Sequence, residues 1–155
     1  MVRLQDQDRR LWDAALIARG IQALGAASVG ECISSYHLEA GIAACHCLAA
    51  DDASTDWQQI LNLYEALSLL KPSPIVAMNR SVAVARIHGP RAGLEALEKI
   101  PDRKSLETQH LYHAIRASFI AKLCNPAEAR AAYQLAATLA KCEVERDFLQ
   151  AEAEC

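Results

Sequence analysis

Residues 80–85 read Arg-Ser-Val-Ala-Val-Ala and lead to Gly89-Pro90, and residues 116–121 read Arg-Ala-Ser-Phe-Ile-Ala and lead to Asn125-Pro126. The two stretches lie 36 positions apart, and the same interval joins Gly93 to Ala129 in the segments that follow. A fixed period in the thirties, with a helix-forming run, a helix breaker and a second run, is typical of helical-repeat proteins. The sequence therefore predicts a stack of helix pairs, which suits binding better than a single buried catalytic pocket.

Composition limits both the fold and the partners. The chain has 155 residues, of which 52% are hydrophobic but only 5% aromatic, and much of the apolar content is alanine. Alanine favours closely packed helices, and no stretch shows the alternating pattern of a strand. The formal net charge is −3 and the basic residues are scattered. The chain alone therefore lacks the basic stripe of a nucleic-acid-binding surface.

Capping residues and helix breakers predict the order of the elements. Asp8 is the predicted cap of a first helix that ends at Gly25, and Pro74, Pro90 and Pro126 are expected in the first turns of later helices. We predict an all-α fold of about eight helices, arranged as antiparallel helix hairpins in a superhelical stack like that of tetratricopeptide (TPR) repeats. The predicted single domain, 1–155, comprises an N-terminal helix at about 8–24, repeat-like units at about 34–71, 74–101 and 106–140, and a C-terminal capping helix at about 144–152.

The third predicted helix has the spacing of the second helix of a TPR repeat. Trp57 is followed by Ile60, Tyr64 and a closing Pro72. The first helices of the units depart from the motif, because none contains Trp-x-x-Leu-Gly and the two repeated arginines stand where an apolar residue is usual. The units are therefore expected to be divergent members of the repeat class.

A string of short phrases is more specific than the period. In chain order the phrases are Gln5-Asp6-Gln7-Asp8-Arg9, Leu11-Trp12-Asp13, Thr55-Asp56-Trp57, Leu63-Tyr64, Pro72-Ser73-Pro74, Asn79-Arg80, Gly89-Pro90, Ala92-Gly93-Leu94, Glu145-Arg146 and Phe148-Leu149. This string resembles the C-terminal TPR-like region of bacterial extracytoplasmic-function (ECF) RNA polymerase sigma factors. The resemblance extends over nearly all of residues 3–150.

The resemblance implies a role in transcription initiation as a regulatory or protein-interaction domain. The family's promoter-binding sigma domains precede this region and are absent from the chain, so promoter DNA is expected to be bound only through those missing domains. The chain is then expected to be an excised part of a longer protein. Its implied partners are the RNA polymerase core, the protein's own N-terminal sigma domains, or both.

Two other functions remain open at this stage. The repeat alone would equally fit a free-standing TPR adaptor that binds a peptide in its concave groove. A thiol- or metal-using enzyme would rest only on the cysteines. The length of the parent gene distinguishes the first two functions, because the adaptor hypothesis requires a complete 155-residue product.

The repeated arginines lead the set of candidate partner-binding residues. An arginine on an apolar helix needs a carboxylate or a solvated groove. We favour a structural ion pair with an acid on a neighbouring helix, such as Asp56, Glu65 or Glu95, over contact with an anion or an acidic peptide. For Trp12 we favour docking of the first helix against the array over an exposed partner surface. The candidate residues are Trp12, Asp56, Asn79, Arg80, His113 and Arg116.

The remaining chemistry-bearing residues do not predict catalysis. The six cysteines (32, 45, 47, 124, 142 and 155) form no CxxC pair and are expected to be mostly buried free thiols in a reducing cytoplasm. No signal peptide or membrane span is predicted. On a helix, Cys45 and Cys47 point about 200° apart, so with His46 and His37 they do not predict a metal site. His110 and His113 are expected on a helix surface, and we predict no catalytic residue, cofactor or enzymatic activity.

Overall fold

The structure, a computed structural model, describes residues 3–29 and 32–154. In these ranges it contains eight α-helices and no strand, which confirms the predicted all-α fold. The chain divides into two compact units, an N-terminal unit that ends at Pro72 and a C-terminal unit that begins at Ser73. The arrangement of residues 1–155 as a single domain stays a prediction.

The N-terminal unit contains three helices after two short 3₁₀ turns, Leu4–Asp6 and Arg9–Leu11. The helices are α1 (Ala14–Ala27), α2 (Ser35–Leu48) and α3 (Trp57–Leu70). α1 packs on α2, and α2 packs on α3. The first predicted repeat-like unit, 34–71, thus corresponds to the hairpin of α2 and α3.

The predicted first helix, at about 8–24, is wrong at both ends. Asp8 caps only the short 3₁₀ turn, whereas the Asp13 carboxylate accepts the N–H groups of Ala15 and Leu16 at 2.9 and 3.0 Å and so begins α1. At the other end, the helix continues past Gly25 to Ala27, because a glycine inside a helix is tolerated at a modest cost.

The C-terminal unit contains α4 (Pro74–His88), α5 (Pro90–Glu98), α6 (His110–Lys122), α7 (Pro126–Leu139) and α8 (Glu143–Glu154). Each helix packs on the next one in the chain. α6 begins 36 residues after α4, and α7 begins 36 residues after α5. The interval in the sequence is therefore the interval between two successive helix hairpins.

The third predicted repeat-like unit starts at about residue 106, but its first helix, α6, begins later, at His110. A 3₁₀ turn at Arg103–Ser105 and a further turn precede α6, and Gln109 is the last residue before the helix. Leu106 is fully buried in a loop, in an apolar cluster with residues of α4, α5 and α6. An apolar residue that fills the core from a loop has the same sequence pattern as one on a helix, which explains the difference.

Two apolar clusters form the interior of the C-terminal unit. The first cluster lies where α6, α7 and α8 meet and is mostly alanine. The second cluster lies around α4, α5 and α6 and contains larger side chains. The members include Ala117, Ala132, Tyr133, Ala136, Ala137 and Leu149 in the first cluster, and Met78, Leu97, Ile100, Leu106, Tyr112 and Phe119 in the second.

The approach of α5 to α4 depends on Gly93. A Cβ at this position would overlap the Cβ of Ala85 and lie 3.1 Å from the Ser81 carbonyl oxygen. At the equivalent position of the next hairpin, 36 residues on, stands Ala129, which is buried. The two hairpins therefore share a register but differ in the residue at this contact, glycine in the first and alanine in the second.

Candidate functional site

Arg116 connects three successive helices of the C-terminal unit. Its Nη2 lies 2.6 Å from Oε1 of Glu128 in the first turn of α7, and its Nε lies 3.8 Å from Oε1 of Glu98 at the end of α5. Asn125 donates to the other oxygen of Glu128 at 2.8 Å and caps α7. The structure thus gives Arg116 the ion pair that we favoured, although Glu98 and Glu128 are the partners rather than the acids suggested from the sequence.

Arg80 occupies the equivalent place on α4 and is half-buried, as is its neighbour Asn79. The positions 36 residues before Glu128 and Glu98 are occupied by Ala92 and Asn62, so the repeat does not supply the same carboxylates a second time. The assignment of Asn79 and Arg80 to partner binding stays a prediction.

His113 and Asp56 have local structural contacts. His113 Nε2 lies 2.8 Å from the Glu107 carbonyl oxygen, which can only accept, so the ring donates from Nε2 and links α6 to the preceding turn. The Asp56 carboxylate is exposed and accepts the Gln59 N–H at 2.8 Å as the cap of α3. These contacts are sufficient to explain both residues, and their partner-binding role stays a prediction.

Trp12 lies in a segment that is anchored to the end of α2. Arg9 donates to the carbonyl oxygens of His46 and Ala49, both at 2.9 Å, and to the Thr55 hydroxyl at 3.1 Å. The Arg9 guanidinium also lies over the Trp12 ring, 5.3 Å from its centroid. Trp12 is half-buried. The segment is thus docked, as we favoured, but Arg9 makes the polar contacts and one part of Trp12 remains accessible.

The cysteines do not form the buried set that we expected. Cys45 and Cys47 are half-buried, and Cys32, Cys124 and Cys142 are exposed, while Cys155 lies outside the described residues. Their positions explain the error, because the three exposed residues lie in connections between helices. Burial, assisted by the nearby Asp56 carboxylate, raises the pKa of the Cys45 thiol, which makes it a poor nucleophile at neutral pH.

The histidine and cysteine cluster on α2 has a structural explanation. Nδ1 of His37 accepts the Ser34 N–H at 3.1 Å, and its Nε2 lies 3.0 Å from the Ala27 carbonyl oxygen. The His46 ring packs edge-on against Trp57, with 5.3 Å between the centroids. No group of three or more His, Cys, Asp or Glu side chains in the described ranges is arranged to hold a metal ion.

The two units differ in how much apolar side chain they bury. Of the buried apolar residues in the described ranges, five belong to the N-terminal unit and eighteen to the C-terminal unit. α1 is amphipathic but buries no residue. Large exposed apolar side chains are therefore concentrated in the N-terminal unit, where they are Leu4, Leu11, Leu16, Val29, Ile33, Tyr36, Leu48, Leu69 and Leu70.

An open apolar groove of about 610 Å³ lies in the N-terminal unit. We call it the α1–α2 groove. Its walls are the segment that leads into α1 together with one face of that helix, and the end of α2 with the residues that follow. The principal lining residues are Trp12, Ile17, Ile21, Cys47, Leu48 and Ala49.

The C-terminal unit has a cavity of about 640 Å³ where α7 and α8 pack beside the end of α6. Arg130 lines it and donates from Nε to the Ala153 carbonyl oxygen at 3.0 Å. The buried ring of Tyr133 forms another part of the wall. This polar contact joins two packed helices, so Arg130 has a structural role here.

Sequence reasoning found Trp12 but missed the residues that form the groove with it. Leu48 stands among apolar neighbours in the sequence that look like core residues, but it is the last residue of α2 and is exposed. Arg9 belongs to one of the quoted phrases, yet its contacts with α2 join residues about 40 positions apart. A local pattern carries no signal for such a contact.

No helix in the described part of the chain has both the length and the apolar character needed to cross a bilayer.

Comparison with known proteins gives one informative relative. Neither a family model nor a solved structure matches the chain. The chain is similar to an uncharacterized protein of Rhizobium meliloti (strain 1021), with 39% identity over 140 residues. The match covers 90% of this chain and 33% of the relative, so the chain spans about a third of the relative's length.

Proposed function

We propose that this chain is the C-terminal TPR-like region of an ECF RNA polymerase sigma factor and acts there as a regulatory, protein-interaction domain in transcription initiation. The sigma domains that bind promoter DNA would precede it in the cytoplasmic full-length protein. Its partners would be the polymerase core, those sigma domains, or both. We propose no catalytic activity and no cofactor.

The observation that carries an interaction role is the apolar surface of the N-terminal unit. Soluble proteins rarely leave many large apolar side chains exposed in one region unless that region binds something. Among the described residues of this unit nine such side chains are exposed, whereas five apolar residues are buried. The assignment to sigma factors rests on the ordered phrases of the sequence, and the greater length of the relative supports a place in a longer protein.

The proposal is tested with the full-length protein and a version that ends before residue 3. Both are purified and compared in core-polymerase binding and in promoter-directed transcription under inducing conditions. We expect the shortened protein to retain promoter recognition and to lose either polymerase engagement or its regulated output. Equal transcription from both versions under all conditions would reject a role for this region, and a parent gene without sigma domains would reject the sigma assignment.

A free-standing TPR adaptor is the second candidate function. The repeated hairpins with their 36-residue register favour it, because stacked hairpins form concave surfaces that hold extended or helical peptides. In that case residues such as Asn79 and His113 would contact a peptide. A parent gene that encodes only these 155 residues, together with retained folding, would favour the adaptor over the sigma-factor region.

A further inference from the structure

We propose that the cavity beside α7 and α8 binds a small organic monocarboxylate, with the ligand's carboxylate on Arg130 and its apolar part against the alanine and proline side chains of the wall. We call this site the α7–α8 cavity. All of its lining residues belong to the C-terminal unit, so the inference does not depend on the sigma-factor assignment. It adds a small-molecule ligand to the protein partners proposed above.

The size and the walls of the α7–α8 cavity suit a small ligand. Its volume of about 640 Å³ lies within the range of natural ligand sites, which is roughly 300–1,000 Å³. Apolar residues form most of the wall, and Ala129, Tyr133 and Ala153 in it are buried. Because these three residues are held in packed helices, that part of the wall exists before a ligand arrives.

Arg130 supplies the group that recognises a carboxylate. Its Nε donates to the Ala153 carbonyl oxygen at 3.0 Å, and this bond holds one edge of the guanidinium against α8. Among the described residues, no acceptor bonds to either Nη atom of Arg130. The remaining N–H groups of the guanidinium are therefore available to a ligand, and a planar guanidinium pairs with a carboxylate through two parallel hydrogen bonds.

Glu152, the second charged residue of the wall, limits the charge of the ligand. It is half-buried and already takes part in an interaction within the protein. A ligand with a single carboxylate can pair with Arg130, whereas a ligand with several negative charges would be repelled by Glu152. The rest of the ligand should be uncharged and apolar, because Pro126 and Ala127 complete the wall.

Nuclear magnetic resonance titration of the 155-residue chain with octanoate tests the proposal. We expect saturable shifts of the amide signals in the first turns of α7 and at the end of α8. Octanol has the same apolar chain without the charge, and it should bind about ten-fold or more weakly, because hydrogen bonds to a charged group are among the stronger ones. Octylammonium should bind more weakly than octanoate as well.

Two variants and a matched control assign the binding to the cavity. Arg130→Gln keeps a donor for the Ala153 carbonyl oxygen but removes the charge, so it should weaken octanoate binding about ten-fold or more and leave octanol binding unchanged. Ala127→Trp places a large ring at an exposed position of the wall and should block both ligands. The control is Arg91→Gln, which changes an exposed arginine of the same unit that does not line the cavity, and it should bind octanoate normally.

Several outcomes would overturn the proposal. Equal affinities for octanoate and octanol, or tighter binding of octylammonium, would show that Arg130 does not select the ligand. Shifts that do not saturate, or that lie outside α7 and α8, would place any contact elsewhere. Equal losses in Arg130→Gln and Arg91→Gln would indicate a general effect of positive charge.

Thermal unfolding of each variant checks that it is folded. If Arg130→Gln is unfolded, Ala127→Trp decides the outcome, because it keeps the charge and changes an exposed residue. Octanoate binding that is unaffected by Ala127→Trp would then contradict the proposal.

Discussion

The N-terminal unit, up to Pro72, and the C-terminal unit, from Ser73 on, are similar in length and built of consecutive packed helices, yet five apolar residues are buried in the first and eighteen in the second among the described residues. Helices gain most of their stability from packing an apolar face rather than from intrinsic propensity. The helices of the C-terminal unit bury their apolar faces against one another. The N-terminal unit leaves α1 without a buried residue, and the proposed interaction role would explain this exposure.

Truncating a leucine should have very different effects in the two units, and this comparison predicts the largest difference. Leu97 is fully buried, so Leu97→Ala should lower the free energy of unfolding by about 2–5 kcal/mol. Leu16→Ala on α1 should change it by less than about 0.5 kcal/mol. Urea titrations of both variants check this prediction. Comparable losses of unfolding free energy would mean that α1 is buried to the same extent as α5.

Replacing a helical glycine by alanine should also affect the stability of the two units differently. Gly93→Ala should cost about 1–3 kcal/mol, because the new Cβ meets Ala85 and the backbone oxygen of Ser81. In the N-terminal unit, the nearest atom to a Cβ at Gly41 is the flexible end of Leu63 at 3.3 Å. Gly41→Ala should therefore stay within about 1 kcal/mol of the natural protein, since the gain in helix propensity offsets the contact. Thermal unfolding of the two variants provides the measurement.

Arg116 should contribute less to the stability of the C-terminal unit than the buried residues of its core. Its ion pair with Glu128 is partly exposed, so Arg116→Met should cost about 0.5–1 kcal/mol. A double-mutant cycle with Glu128→Gln should assign most of that cost to the pair. Unchanged stability combined with lost binding of polymerase or of the sigma domains would instead identify Arg116 as a partner contact.

Two tyrosine hydroxyls predict a loss of stability that occurs only at alkaline pH. Burial raises the pKa of Tyr64 in α3 and of Tyr112 in α6. The folded form therefore keeps these protons after the unfolded chain has lost them, so the free energy of unfolding falls as the pH rises above about 10 and through the folded-state pKa values. Tyr64→Phe and Tyr112→Phe should each reduce this alkaline loss, as measured by denaturant titrations at neutral and alkaline pH. An identical pH dependence in both variants and the natural protein would contradict the stated cause.

The sequence predicted the helical class and the register because both depend on local or periodic features. Pro74, Pro90 and Pro126 begin their helices as expected, and the hairpins repeat at the expected interval of 36 residues. The start of α1 was predicted at the wrong aspartate, because Asp8 and Asp13 both have the chemistry of a cap. Only the backbone geometry distinguishes a 3₁₀ turn from a continuing helix.

The candidate surface was less predictable from the sequence, because it depends on which apolar side chains the helix packing leaves exposed. Trp12 was singled out from its neighbours in the sequence, but Leu48 has the pattern of a core residue. The ion pair of Arg116 was expected in kind, while its partners Glu98 and Glu128 follow from the packing of three helices. The roles of Asn79 and Arg80 in partner binding stay predictions.

Urea unfolding of the 155-residue chain, followed by two probes, tests the central contrast most directly. Trp12 and Trp57 are its only tryptophans and both lie in the N-terminal unit, whereas far-UV circular dichroism reports on the helices of both units. The account predicts that tryptophan fluorescence changes at a lower urea concentration than the loss of most of the helical signal. Coincident transitions with a single midpoint would contradict it, because they would show one cooperative unit in which α1 is as well supported as α6.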